Sequence, residues 1–286
     1  MSFKNKIKKA FTGGEWSVAF RHVNDIRFIT AVSPKNQWCA DPFVYEHDGR
    51  YYIFVEQYKK DKECGCIGYF EFENGKPVNK GIIIENSYHM SYPDVFEFNG
   101  DFYMIPESSA NSTIDLYIAD QFPNNWRKTK TLLSGKKYVD STVFEYESKL
   151  YLISYCMENS YEIHLFKLDM FNQTMELLSR KVYTENVARP GGRLFIENGK
   201  LIRPAQDCSR KYGESLVFYQ VDDLNNDGMF LEHECRRLAI SNIEVDNCPD
   251  RIHQFTSVGD YEVIDVFKER FDLFHVPRIF FRARRK

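Results

Sequence analysis

Five times along the chain, two runs of alternating apolar and polar positions flank a tight turn: YEHDGRYYIFVE, FEFNGDFYMIPE, FEYESKLYLISY, LFIENGKLIRPA and FTSVGDYEVIDV. Alternation with a period of two places every second side chain on one face, the signature of a half-buried strand, so each copy predicts a β-hairpin. Asp-Gly or Asn-Gly at three of the turns supplies the positive φ angles that two-residue hairpins need. The turns centre on Gly49, Gly100, Ser148, Gly199 and Gly259, at separations of 51, 48, 51 and 60 residues. A repeat of about 40 to 50 residues is what a four-stranded propeller blade requires. Intervening segments such as TIDLYIA and YEIHLFKLD read as the further strands of each blade, and strongly periodic helices are scarce. A pair of β-sandwiches would give similar strands, but the near-even spacing of one hairpin type argues for a ring. The expected fold is all-β, a five-bladed β-propeller forming one domain over residues 1–286.

Composition sharpens this picture at a few points. With 286 residues and 43% apolar content, the chain can bury a large core, and its 16% aromatic content favours strands. A net charge of −3 provides no global basic field, which argues against a nucleic-acid polymer as partner. The charge is nevertheless uneven. Lys4, Lys6, Lys8 and Lys9 crowd the start, and Arg278, Arg282, Arg284, Arg285 and Lys286 surround Ile279, Phe280 and Phe281 at the end. These basic segments, about 1–12 and 276–286, are expected to lie together and to offer peripheral contact with an anionic membrane. No stretch reaches the roughly 20 apolar residues of a membrane span and no apolar signal-peptide core opens the chain, so a cytoplasmic location is expected. Seven scattered cysteines fit reduced thiols, and Cys64-Gly65-Cys66 lacks zinc-knuckle spacing.

In a propeller the innermost strand of each blade lines the channel, so matching positions before the turn converge near the axis. Eight residues before each turn stand Asp41, Tyr92, Asp140, Gly191 and Arg251, and two residues later Phe43, Asp94, Thr142, Arg193 and His253. Seven residues after each turn stand Glu56, Glu107, Tyr155, Gln206 and Val266. These registers are rich in groups a core rejects, and clustered carboxylates with Arg and His suit acid/base chemistry on a sugar. Each group also has a structural reading: Asp41 before Pro42 as a turn, Glu56 and Glu107 as solvated strand ends, His253 as an interior histidine. Arg189 and Arg203 flank prolines in ARPGGRLF and LIRPAQDC, where they either brace loops or form a clamp for an anion or a hydroxyl.

Longer stretches carry a resemblance: WCADPFVYEHDGRYYIFVE, HMSYPDVFEFNGDFYMIPES, FPNNW, YVDSTVFEYESKLYLIS, ARPGGRLFIENGKLIRPAQDCSRKYG and IHQF. Over about residues 38–266 the chain resembles the bacterial family related to the N-terminal domain of glucosamine inositolphosphorylceramide transferases. That family is similar to the five-bladed arabinanase, xylosidase and levansucrase propellers and to the β-mannoside phosphorylases. The resemblance implies assembly of a surface polysaccharide, with a sugar donor bearing a nucleotide or phosphate and a glycan acceptor. It carries the glycosidase base over to Asp41 and the pKa-tuning Asp to Asp140. The acid does not carry over, since blade four presents ARPGGRLF and RPAQD where the glycosidases present a Glu. A glycosyltransferase is the leading expectation, with Asp41 as base, Asp140 or Glu107 assisting, and Arg189, Arg203 and His253 holding an anionic leaving group. Tyr92, Asp94, Glu56, Gln206 and Asp207 complete the expected substrate site. A hydrolase with Glu107 or Glu214 as acid and a non-catalytic glycan-binding propeller are the alternatives. No Asp-X-Asp motif asks for a metal, and no cofactor is expected.

Overall fold

The computed structural model describes residues 12–225 and 228–271. The basic segments at about 1–12 and 276–286 fall outside the described residues, apart from Thr12. Two strands come first, β1 (Thr12–His22) and β2 (Arg27–Thr30). Blade one follows as β3 (Gln37–His47), β4 (Arg50–Lys59), β5 (Cys64–Glu73) and β6 (Lys76–Ile84). Blade two comprises β7 (Ser91–Phe98), β8 (Asp101–Ser108), β9 (Thr113–Gln121) and β10 (Asn124–Ser134). Blade three comprises β11 (Tyr138–Tyr146), β12 (Lys149–Cys156), β13 (Glu162–Asp169) and β14 (Thr174–Val182). Blade four comprises β15 (Phe195–Glu197), β16 (Lys200–Asp207), β17 (Ser215–Leu224) and β18 (Phe230–Ala239). Blade five runs in the order β19 (Glu244–Val245), β2, β1, β21 (Tyr261–Phe271), β20 (Arg251–Val258). The expected five-bladed β-propeller is the observed fold.

Ring closure comes from β1 pairing antiparallel with β21 over its whole length, from Thr12 opposite Phe271 to His22 opposite Tyr261. The alternation of each strand then builds the core. Phe43 and Phe54 of blade one pack with Tyr92, Val95 and Met104 of blade two. Their strand neighbours Val44, Ile53 and Val55 face the other way, onto Val18, Phe20 and Val263 of blade five. Equivalent clusters fill the spaces between blades two and three, three and four, and four and five. Every pair of adjacent blades therefore shares one apolar cluster, which leaves polar side chains for the channel end.

One irregularity repeats and positions the site. In blades one, two, three and five, two residues of the inner strand oppose one residue of the second: Asp41-Pro42, Tyr92-Pro93, Asp140-Ser141 and His253-Gln254. Asp41, Tyr92 and Asp140 sit at φ of 50°, 47° and 53°. Such a bulge with a left-handed first residue turns that side chain out of the ladder and toward the axis. The registers counted from the turns thus hold for blades one to three and need a correction in blade five, where His253 takes the place assigned to Arg251. Gly259 is the first rather than the second turn residue there, and the hairpin is one residue pair shorter between turn and bulge.

Candidate functional site

The bulges and the strands beside them bring a ring of polar, mostly ionisable groups to one end of the channel: Asp41 and Glu56 from blade one, Glu107 from blade two, Asp140 from blade three, Arg189 and Gln206 from blade four, His253 and Asp265 from blade five. Asp41, Glu56, Asp140, Gln206, His253 and Asp265 are buried. The Asp41 carboxylate accepts the Tyr92 backbone N–H at 3.1 Å through Oδ2, and its Oδ1 lies 3.3 Å from Nε2 of His253. Nδ1 of His253 meets Oδ2 of Asp265 at 2.6 Å, and that same Oδ2 accepts the Asp41 backbone N–H at 3.0 Å. Trp16 stacks on the His253 ring at 4.0 Å. Gly213, at φ +66°, lets the 208–214 loop close over this stack, because a Cβ there would meet the Trp16 ring at 2.8 Å.

Across the channel, Arg189 forks onto both Asp140 oxygens, and its Nη2 lies 3.9 Å from Oε2 of Glu107. Gln206 donates to Asp140 Oδ2 at 2.9 Å and to the Pro190 carbonyl at 2.7 Å. Tyr212, on the 208–214 loop, lies under the Arg189 guanidinium at 5.3 Å. Glu107 receives a hydrogen bond from Ser109 at 2.7 Å on one oxygen, and its other oxygen has no hydrogen-bond partner.

Packing carboxyls this densely away from water raises their pKa values. Burial pushes Asp41 up to about 7; the nearby imidazolium of His253 works against this, while Asp265 and Asp140 add to it. Burial and then Asp140 push Glu107 up to about 8, against the pull of Arg189. Burial, with Asp41 and Glu107, takes Glu56 well above the carboxylate range. For His253, burial disfavours the imidazolium, but Asp265 and Asp41 outweigh it and the pKa rises. Two carboxyls of one cluster therefore exchange protons near neutral pH. Asp41, His253 and Asp265 also place one ligand atom each within 4.8 Å, a donor set suited to a divalent cation, although here the same atoms bond one another.

The other expected site residues lie elsewhere. Arg203 is a correction: it does not join Arg189 in a clamp but is fully buried within blade four, forked onto Glu232 at 2.8 Å and 2.8 Å and bonded to Tyr183. It stands three positions before Gln206, an odd offset that puts it on the opposite face of β16. Asp207 shares that opposite face, pairing with Arg237 at 3.0 Å and accepting the Ser209 N–H, so it too is displaced from the cluster. Glu214 pairs with Arg210 on the loop. Tyr92 and Asp94 are fully buried clasps between blades. The Tyr92 hydroxyl bonds Thr142 and accepts the Gly192 N–H, while Asp94 accepts the Val143 N–H and holds Arg193. Sequence reasoning missed Asp265, Trp16 and Tyr212. For Asp265 the signal was a charge inside the apolar run VIDVF; the other two stand outside the hairpin repeat.

Comparison with known proteins agrees with this architecture. In overall shape the chain is similar to an exo-β-1,3-galactanase from Phanerochaete chrysosporium, with a TM-score of 0.62 at 9% identity over 88% of this chain and 64% of that one. It is also similar to the catalytic domain of an α-L-arabinofuranosidase from Coprinopsis cinerea, with a TM-score of 0.60 at 15% identity over 85% of each chain. In sequence it is 30% identical over 230 residues to glucosamine inositolphosphorylceramide transferase 1 of Arabidopsis thaliana, covering 75% of this chain and 29% of that protein. The rice (Oryza sativa subsp. indica) protein of the same name is 30% identical over 205 residues, covering 68% of this chain and 27% of its own length. The chain thus spans under a third of the length of these relatives. The family model for the N-terminal region of glucosamine inositolphosphorylceramide transferase 1 matches residues 4–244, and the chain belongs to that family.

Proposed function

We propose that this propeller transfers a glycosyl group from a donor with an anionic leaving group to a glycan acceptor, in the assembly of a surface polysaccharide. The observation that supports it best is the pair of carboxyls, Asp41 and Glu107, brought to about 7 and about 8 in one buried cluster. A base must be ionised and an acid protonated at the same pH, and this pair satisfies both conditions near neutrality. Asp41 takes the proton from an acceptor hydroxyl as its oxygen bonds to the anomeric carbon. Glu107 gives a proton to the departing oxygen, and Arg189, which is 23% exposed, faces the charge that develops there. His253, fixed between Asp265 and Asp41, orients the base. Kinship with a domain of a transferase supports the same reading. In a cell the reaction would take place at the cytoplasmic face of a membrane.

A second reading, hydrolysis of a glycosidic bond, draws support from the two solved glycosidases of the same fold. The test is to incubate the protein with nucleotide sugars and sugar phosphates plus acceptor sugars, and separately with aryl glycosides. Transfer in the first set, lost about 100-fold or more in Asp41→Asn, is the expected result, since a positioned base contributes about that much. Full turnover in Asp41→Asn would exclude the base, and cleavage of aryl glycosides alone would favour hydrolysis. Binding without turnover in either set would leave a glycan-binding module.

A further inference from the structure

We propose that the row of rings formed by Trp38, Tyr58 and His89, beside Glu56 at the channel mouth, is a subsite for a neutral sugar ring of the acceptor. This rests on the reading that the mouth handles a glycan, and it adds where the acceptor lies. The row follows from register. Ala40 pairs with Glu56, and one step outward on the same face Trp38 pairs with Tyr58, which in turn pairs with Gly65. Gly65 has no side chain, and the His89 ring lies over it: a Cβ there would meet His89 Cε1 at 2.8 Å and Glu56 Oε1 at 2.5 Å. Three rings thus form one row beyond Glu56. Trp38 and Tyr58 stack at 4.4 Å and 9°, and His89 follows at 6.1 Å from Tyr58. All three are half-buried, and the His89 side chain is 39% exposed.

Aromatic faces at the edge of a polar cleft suit the C–H face of a pyranose, and the polar groups beneath them suit its hydroxyls. His89 is locked for that task. Its Nδ1 accepts the Gly65 N–H at 3.0 Å, which leaves the proton on Nε2, and Nε2 lies 3.3 Å from Glu56 Oε1, an oxygen with no hydrogen-bond partner of its own. Burial lowers the His89 pKa and raises that of Glu56, so the surroundings favour the neutral form of each. The guanidinium of the site, Arg189, belongs to blade four, and the His253 imidazolium to blade five, so both cations stand away from the row of rings on blade one. An anionic donor and a neutral acceptor therefore meet over Asp41 from different sides.

The test uses ¹⁵N-labelled full-length protein titrated with neutral sugars: methyl glycosides of glucose, galactose and mannose, and cellobiose. The chain holds three tryptophans, so its indole N–H signals are few, and Trp38→Phe identifies the one that matters. A neutral sugar is expected to shift the Trp38 indole signal at millimolar concentration. Trp38→Ala should raise its Kd about tenfold, with Trp38→Phe restoring most of the affinity. Thermal melting confirms that each variant is folded. Equal affinity in folded Trp38→Ala, or no binding of any of these sugars to the wild type, overturns the subsite. Binding that depends on Trp38 in a protein that transfers nothing keeps the subsite and removes the transferase reading.

Discussion

The proton positions of Asp41 and Glu107 decide what the site can do, and both have consequences in solution. With Asp41 ionising at about 7 and Glu107 at about 8, activity should follow a narrow bell between those values. The two titrate as a coupled set, so the profile reports the cluster rather than single residues. Replacing Glu107 by Gln should remove the alkaline limb of the pH–rate profile along with most of the rate. The same carboxyl also acts on stability. Its pKa is higher in the folded state than in the unfolded chain, so folding binds a proton above the unfolded pKa of about 4.3, and stability falls as pH rises toward about 8. Glu107→Gln mimics the protonated form. Its melting temperature should match the wild type below about pH 4 and exceed it near about pH 9, a comparison that calorimetry makes directly. A wild-type advantage at the higher pH would mean that Glu107 is ionised and stabilised in the fold. Arg203 offers a contrast at this scale. With both side chains fully buried, Arg203→Ala breaks the fork and leaves Glu232 only Lys181 at 3.3 Å and the Tyr183 hydroxyl, so it should cost up to about 3 kcal/mol, read by urea unfolding. Sugar binding per folded molecule should not change, because Arg203 lies on the face of β16 away from the channel.

Strands and turns were legible in the sequence wherever a local rule dictates them. Asp48-Gly49, Asn99-Gly100 and Asn198-Gly199 all adopt the paired positive φ angles that their residue types favour, and the alternating runs beside them became the inner hairpins. Asp41, Tyr92 and Asp140 were found by counting from those turns. The count failed in blade five because Gly259 begins its turn and the hairpin is shorter, and turn position is not written in the alternation itself. Arg203 and Asp207 were misplaced by neglect of the very periodicity that found the hairpins. Asp265 could have been found, since a lone acid within VIDVF has to be satisfied by something buried. Trp16 and Tyr212 reach the site from β1 and a loop, where no repeat points to them. Side chains near the axis also show how blades hold together without sharing a ladder, between neighbours and, for Tyr92 and Gly192, from blade two across to blade four. Asp265 accepts the Asp41 N–H, Asp41 the Tyr92 N–H, Asp94 the Val143 N–H, and the Tyr92 hydroxyl the Gly192 N–H. Tyr92→Phe leaves the buried Gly192 N–H without its acceptor and should cost about 1–3 kcal/mol in denaturant unfolding. A loss within experimental error would show that the blades are held by their apolar clusters alone. Asp41→Asn keeps an oxygen for the Tyr92 N–H, so it should lose activity while remaining folded.

The propeller closes as a ring because β1 and β21 pair from Thr12–Phe271 to His22–Tyr261, so the chain enters and leaves blade five at adjacent backbone positions. Beyond those positions the sequence carries Lys4, Lys6, Lys8 and Lys9 on one side, and Arg278, Arg282, Arg284, Arg285 and Lys286 with Ile279, Phe280 and Phe281 on the other. We propose that these two segments act together on an anionic leaflet and hold the channel mouth beside a lipid-linked acceptor. Each basic residue near such a surface contributes about 1 kcal/mol, and apolar side chains entering the interface add to that. On this reading each segment alone binds more weakly than the two together, since screening over about 8 Å at physiological salt weakens isolated charges. Because Thr12 and Phe271 are paired, attractions of the segments that precede and follow them would add. Co-sedimentation with vesicles containing phosphatidylserine should therefore exceed that with phosphatidylcholine alone, weaken with added salt, and fall sharply when residues 278–286 are deleted. Equal binding to both vesicle types would sink the electrostatic account. Unchanged binding after the deletion would transfer the role to the lysines at the start of the chain, which Lys→Gln substitutions at positions 4, 6, 8 and 9 would then have to abolish.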